Sequence, residues 1–454
     1  MANGASRLYS LPMTVSYRRT LGLFSGTMAV VGGIIGSGIF NNPAIVAARV
    51  HTPGMTLGAW VLGGVIAVAG AFCFGELGQR RPKAGGGYVY IREALGALPA
   101  FLYAWSLLLV IATGATAAVA VTFANYTLPL LGLETRWALP LAAGAILLLT
   151  AINYIGIRPG AITTNIFTVL KLAALGFLIV VGLGATGVAA PTAAASPPPA
   201  NPLLAMAAAL VPVLFAYGGW QQTNFISEEL VDAERNLPRA LLLGVGIVVL
   251  VYVLANLTYL RTLGAAGLAT STAPAADAMR ALLGDTGATL IALGISASTF
   301  GFLNLVIMVS PRVYQTMAAD GLFFPAFARL TPQFRTPGTA ILAHGGWAVL
   351  LLLTGTYGAL LDYVVFCDWI FFGLAVVSLF VLRRRDQRAG VIDPAGAFRV
   401  PFWPWPAVLF IVACLYVMAG SVRSNPFNAL LGSAILLLGV PVFAFWRGRR
   451  AQTQ

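Results

Sequence analysis

Apolar stretches of about 20 residues recur along the whole of this chain, each able to cross a hydrocarbon core of roughly 30 Å as one helix. Twelve are legible, at approximately 21–48, 53–78, 95–127, 136–157, 160–185, 203–230, 238–262, 287–317, 337–356, 359–382, 403–421 and 428–446. Hydrocarbon offers no hydrogen-bond partners, so spanning backbone must close its own bonds in helices or barrels, and runs this long select helices. With 59% of the 454 residues hydrophobic and 9% charged, the expected fold is an all-α integral membrane protein of 12 transmembrane helices.

An even number of spans puts both termini on one side, and Lys and Arg decide which, because they accumulate in cytoplasmic loops. With the amino terminus in the cytoplasm, five of the 27 Lys and Arg lie outside (Arg49, Arg136, Arg261, Arg280 and Arg423), Lys171 lies within a span, and the other 21 lie inside. The inside set includes Arg80-Arg81-Pro82-Lys83 and Arg383-Arg384-Arg385. The formal charge of +13 therefore reports topology. It does not point to nucleic acid, since no stretch outside the spans is long enough for a basic, aromatic-bearing domain.

One transmembrane domain, 21–447, is expected between a cytoplasmic segment, 1–20, and a cytoplasmic tail, 448–454. The first 19 residues carry Arg7, Arg18 and Arg19 without an apolar core, so no cleavable signal is expected. Cys73, Cys367 and Cys414 fall in apolar spans without metal-ligand spacing, which suits small apolar packing and implies neither metal nor cofactor. The segment from Ala185 to Pro202, with Pro197-Pro198-Pro199, reads as an extended linker between two halves.

The leading span of each half is interrupted, by Gly36-Ser37-Gly38 in the first span and Gly218-Gly219 in the sixth. Each break falls about 22 Å along its helix, near the bilayer midplane. Corresponding breaks mark an inverted five-plus-five repeat, with repeat one about 21–185, repeat two about 203–384, and helices eleven and twelve, about 403–446, packed outside. Most of the 50 glycines only let helices approach closely, and position sets these apart. An unwound stretch leaves amides unpaired at the start of the following half-helix and carbonyls unpaired at the end of the preceding one. One end attracts an anion and the other a cation. Neither break carries a charged side chain, so a small zwitterion such as an α-amino acid satisfies both.

At this point the residues carry a resemblance. Gly33-Ile34-Ile35-Gly36-Ser37-Gly38-Ile39-Phe40 resembles the first-helix motif of the amino acid-polyamine-organocation (APC) superfamily. Phe215-Ala216-Tyr217-Gly218-Gly219-Trp220 resembles the sixth-helix motif of its L-type amino acid transporter-like branch. Gly75-Glu76-Leu77-Gly78, Gly85-Gly86-Gly87-Tyr88 and Arg235-Asn236-Leu237-Pro238 are similar to the same branch, and the likeness covers spans one to eight well and the remainder weakly. It implies a LeuT-like inverted 5+5 repeat with broken helices 1 and 6. It also implies a sodium-independent secondary transporter of α-amino acids, working by alternating access as an exchanger or facilitator. The implied substrate-binding residues are Ile34, Gly36, Ser37, Gly38, Phe215, Ala216 and Gly218. In that arrangement the Ser37 and Gly38 amides hold the carboxylate, the carbonyls of Ile34, Phe215 and Gly218 take the α-ammonium, and the Phe215 ring closes as a gate. Tyr217 stays open between the site and packing.

Lys171 lies about 16 Å along the fifth span. An ammonium there costs roughly 2.5–3.5 kcal/mol on insertion scales and needs a partner or a function. Sodium-using relatives in the superfamily build a cation site between the first, fifth and eighth helices, and the resemblance to sodium-independent branches implies that the Lys171 ammonium stands in for the ion. It is expected to bond carbonyls near Gly33-Ile34 and hydroxyls on span eight, with Ser296, Ser298 and Thr299 as candidates. A Lys171 that exchanges a proton would instead make the chain a proton-coupled symporter, the alternative function.

Glu76 is expected in an intracellular salt bridge or gate contact, without a substrate role. Glu228, Glu229, Asp232 and Glu234 are expected to meet cytoplasmic arginines. Asp362 belongs at the outer rim of span ten, while Asp368, deeper, is a candidate coupling or pocket residue because intramembrane carboxylates point to function. Asn304 on span eight is a candidate for the side-chain pocket, with a helix–helix hydrogen bond as the other explanation.

Two other classes compete. A membrane enzyme needs a nucleophile with its base or a set of metal ligands, and neither His51 nor His344 has a neighbouring carboxylate or cysteine at ligand spacing. A channel is built from rings of carbonyls or charges, usually from symmetric subunits, whereas this chain repeats internally. Some L-type relatives are disulfide-linked to a single-span glycoprotein through the loop after span three. Here that loop, Leu128 to Trp137, has no cysteine, so no disulfide-linked heavy chain is expected. A bacterial inner membrane is the expected location, by resemblance.

Overall fold

A computed structural model describes residues 16–185, 197–354, 357–391, 396–424 and 426–453, with backbone alone at 357–366, 424, 428 and 450–453. Most of the expected linker and the Asp362 side chain lie outside the described set.

The described chain is almost wholly helical. In order it forms α1 (Leu23–Ile34), α2 (Gly38–Val50), α3 (Pro53–Arg80), α4 (Gly87–Leu95), α5 (Ala97–Ser106), α6 (Ala112–Leu130), α7 (Ala138–Tyr154), α8 (Ile157–Gly184) and α9 (Pro202–Ala216). There follow α10 (Ala233–Thr270), α11 (Pro274–Val309), α12 (Pro311–Ala319), α13 (Pro325–Ala328), α14 (Gly338–Leu353), α15 (Tyr357–Arg388), α16 (Trp405–Ser424) and α17 (Pro426–Thr453). A π-helical segment, Leu107–Ile111, joins α5 to α6, and a 3-10 helix, Trp220–Glu229, follows α9.

Among the described residues, nine continuous stretches are long and apolar enough to cross a membrane, and α1 with α2, bent by 43° at their break, make a tenth. The 16-residue α14 and the 32-residue α15 occupy the places of the remaining two expected spans. The helices overrun the apolar stretches at their ends. The α11 helix begins at Pro274 rather than near 287, kinked at Gly284, where φ is 65°. The first turns of α11, Pro274 to Arg280, carry the charges Asp277 and Arg280, which end the apolar run that hydropathy detects.

One end of the bundle is fastened by charge. Glu76 is fully buried and accepts from Arg80 Nε at 2.8 Å, Arg383 Nε at 2.7 Å and the Val400 amide at 2.7 Å. Arg80 and Arg81 also reach Asp386, at 2.9 and 2.8 Å, so α3 is bound to the C-terminal end of α15. Glu229 meets Arg312 in a two-point ion pair, both bonds 3.0 Å, with each side chain 1% exposed. Arg312 corrects one expectation: Lys171 is not the one basic residue buried in a span. Arg312 lies in α12, near the C-terminal end of the expected eighth span, and the arginine that Glu229 meets is therefore buried within the bundle. The Glu229 carbonyl also receives the amides of Thr20 at 2.9 Å and Leu21 at 3.0 Å, pinning the chain before α1 to the end of span six.

A cavity at two helix breaks

The first break runs from the end of α1 at Ile34 to the start of α2 at Gly38, and the second from Ala216 to Trp220, both at the expected glycines. At the second, Gly219 adopts φ of 103°, a left-handed conformation that a side chain resists. The two breaks touch. A Cβ on Gly33 would stand 2.7 Å from the Gly219 carbonyl oxygen, and one on Gly219 would collide with the Gly33 oxygen.

Hydrogen bonding separates the polar atoms that are spent from those that are free. The Ile34 carbonyl accepts from the Gly36 amide at 2.9 Å and from the Tyr252 hydroxyl at 3.1 Å, so both lone pairs are engaged. Tyr252, on α10, also reaches the Ala216 carbonyl at 3.3 Å, and its hydroxyl thus bridges the two breaks. Nothing in the sequence singled out Tyr252, which is one tyrosine in an apolar span. The amides of Ser37 and Gly38 have no partner among the described residues. The Phe215 carbonyl accepts the Gly218 amide at 3.1 Å and also faces the Tyr217 amide, whereas the Gly218 carbonyl has no partner among the described residues.

A cavity of about 120 Å³ lies at the breaks, and Ile34, Gly36, Ser37, Gly38, Phe215, Ala216 and Gly218 all line it. Phe215 is 41% exposed, so its ring is presented to open space rather than packed. The cavity is also walled by Tyr103, Ile111, Phe302, Asp368, Trp369 and Phe372. Tyr103, Trp369 and Phe372 were not foreseen, because one aromatic among many in a span carries no signal of where it faces.

Lys171 stands behind the first break, fully buried. Its ammonium donates to the carbonyls of Ile35 at 2.6 Å and Gly32 at 3.2 Å. These flank the expected Gly33-Ile34 pair. Ser298 shares the Ile35 carbonyl, donating at 3.2 Å, so α8 and α11 grip α1 at one oxygen.

Other candidates fall elsewhere. Thr299 bonds back to the carbonyls of Ile295 and Ser296 in its own helix, as buried helical hydroxyls commonly do, and Ser296 receives the Thr127 hydroxyl at 3.1 Å. Neither meets Lys171. Asn304 is absent from the cavity wall. It donates to the Gly160 carbonyl at 2.7 Å and Thr164 Oγ1 at 2.8 Å and accepts from Asn153 at 2.9 Å, which makes it a clamp between helices. Tyr217 points away from the cavity, its ring centre 5.8 Å from that of Trp60 and 5.1 Å from that of Tyr252. Asp368 lines the cavity.

Comparison with known proteins decides what this arrangement belongs to. Residues 21–442 match the amino acid permease family. The chain belongs to that family. It is 33% identical over 450 residues to the large neutral amino acids transporter small subunit 2 of Mus musculus, covering 95% of this chain and 82% of the relative. It is 30% identical over 444 residues to the b(0,+)-type amino acid transporter 1 of the same species, covering 95% and 88%. The human Asc-type amino acid transporter 1 is 31% identical over 448 residues, covering 96% and 84%. The chain is thus a multi-pass membrane permease of the APC superfamily with broken helices one and six, an amino acid carrier and not an enzyme.

Proposed function

We propose that this permease is a sodium-independent exchanger of α-amino acids that works by alternating access about the cavity between its two broken helices. The observation that carries the reading is the pair of free amides at Ser37 and Gly38, which line the same cavity as Gly218, whose carbonyl has no partner among the described residues. The amides sit at the start of α2, where a helix favours an anion. The substrate carboxylate binds there, and its α-ammonium turns to the Gly218 carbonyl, the Ile34 and Phe215 oxygens each already receiving two donors. Phe215 closes over the bound molecule.

Sodium independence rests on Lys171, whose side-chain nitrogen sits between α1, α8 and α11 and uses the carbonyls that an ion would need. Proton symport is the second reading. It would require the buried Lys171 amine, bonded to the first break, to gain and lose a proton as that break moves. Residues 21–447 form the carrier domain, with both termini in the cytoplasm and a bacterial inner membrane as its location. The mouse relative is named a small subunit, but the three cysteines of this chain are buried and unpaired, so no disulfide-linked heavy chain is proposed.

Thermal-shift screening of the purified protein against the twenty amino acids tests the reading, with amides and des-amino analogues as controls. Intact α-amino acids should stabilise the protein and both analogue sets should not. Equal shifts with the analogues, or none with any amino acid, would overturn it.

A further inference from the structure

The breaks account for the two charges that every α-amino acid shares. They leave unexplained the acceptors in the rest of the cavity. Asp368 lines it from α15 in an otherwise apolar sequence, Cys367-Asp368-Trp369-Ile370. No hydrogen bond or ion pair joins its carboxylate to another described residue. Gln222, from the 3-10 helix after the second break, lines the same cavity, and its buried Oε1 has no hydrogen-bond partner either. The residues that line the cavity include no Lys, Arg or His. Lys171 is committed to carbonyls behind the first break.

An unpaired carboxylate in a low-dielectric pocket is costly, and a buried acceptor without a donor adds to that cost. Both are relieved by a ligand that brings positive charge and several N–H donors. A neutral side chain brings neither. The zwitterionic part of any amino acid is balanced by the free amides and carbonyls at the breaks, so one further positive charge restores neutrality around Asp368.

We propose that Asp368, assisted by Gln222, selects amino acids whose side chain ends in a cation, of the lysine, ornithine or arginine class. This rests on the amino acid exchanger reading and adds the substrate class. The α-carboxylate and α-ammonium are held at the breaks, the aliphatic stem lies along Ile111, Phe302 and Phe372, and the terminal ammonium or guanidinium donates to the Asp368 carboxylate and Gln222 Oε1.

Lysine and norleucine share a four-carbon stem and differ by the terminal ammonium, so their competition against a bound radiolabelled amino acid isolates Asp368. Wild-type protein should bind lysine about tenfold or more tighter than norleucine, the range of a hydrogen bond to a charged group. Asp368→Asn should lose that preference while still binding norleucine, which also reports that the variant is folded, and Asp368→Glu should keep part of it. Gln222→Leu should weaken lysine more than norleucine. Wild-type protein that binds norleucine as tightly as lysine overturns the proposal and leaves the exchanger reading intact, as does an Asp368→Asn variant with an unchanged ratio. Protein that binds no amino acid overturns both.

Discussion

Gly33 and Gly219 meet backbone to backbone, the one at the last turn of α1 and the other within the second break. A Cβ on Gly33 would lie 2.7 Å from the Gly219 oxygen. At Gly219 a side chain faces a second obstacle, the positive φ of 103°. Gly219→Ala is expected to cost about 1–3 kcal/mol in backbone strain alone and to force the breaks apart. Thermal melting in detergent should show a clear loss, and amino acid binding should weaken even where the protein stays folded.

Lys171 ties α1 to α8 through two carbonyls, and Ser298 adds α11 to the same oxygen. Removing a charged donor leaves buried carbonyls with reduced bonding, worth about 1.5–3 kcal/mol for each strong bond. Lys171→Ala should therefore lower exchange in proteoliposomes by about tenfold to a hundredfold. An imposed pH gradient should leave the accumulation of substrate by the wild type unchanged. Accumulation that follows the gradient and vanishes in Lys171→Ala would instead favour proton symport.

Breaking the buried Glu229–Arg312 pair leaves an isolated charge in the bundle. Arg312→Met should destabilise the protein by about 3–5 kcal/mol, and the double variant with Glu229→Gln should regain a large part of that loss. The measurement is thermal melting of the single and double variants. Equal melting of all of them would show that the pair contributes little.

Cys73, Cys367 and Cys414 are buried and unpaired. The purified protein should migrate identically with and without reductant on a denaturing gel, and maleimide should label it only after unfolding. A reductant-sensitive band of higher mass would point to a covalent partner.

Much of this architecture was legible in the sequence because bilayer chemistry leaves few alternatives. Apolar length marked the spans, and Gly36-Ser37-Gly38 and Gly218-Gly219 marked the breaks, since unwound backbone at that depth needs glycine and a purpose. What stayed hidden depends on rotation about a helix axis. Asn304 and Asp368 are both polar residues in apolar spans, yet one clamps α7 and α8 to α11 and the other faces the cavity. Tyr252 and Arg312 were missed for the related reason that their partners, the Ile34 carbonyl and the Glu229 carboxylate, lie 218 and 83 residues away in the chain. Only packing brings them together.

The central claim is that one cavity between two broken helices carries α-amino acids by exchange. Its most direct test is counterflow in sodium-free proteoliposomes. Vesicles preloaded with unlabelled amino acid should take up the same labelled amino acid in a transient, saturable overshoot that empty vesicles do not show and that added sodium does not change. Uptake that needs a sodium gradient, or no uptake under any loading, would contradict it.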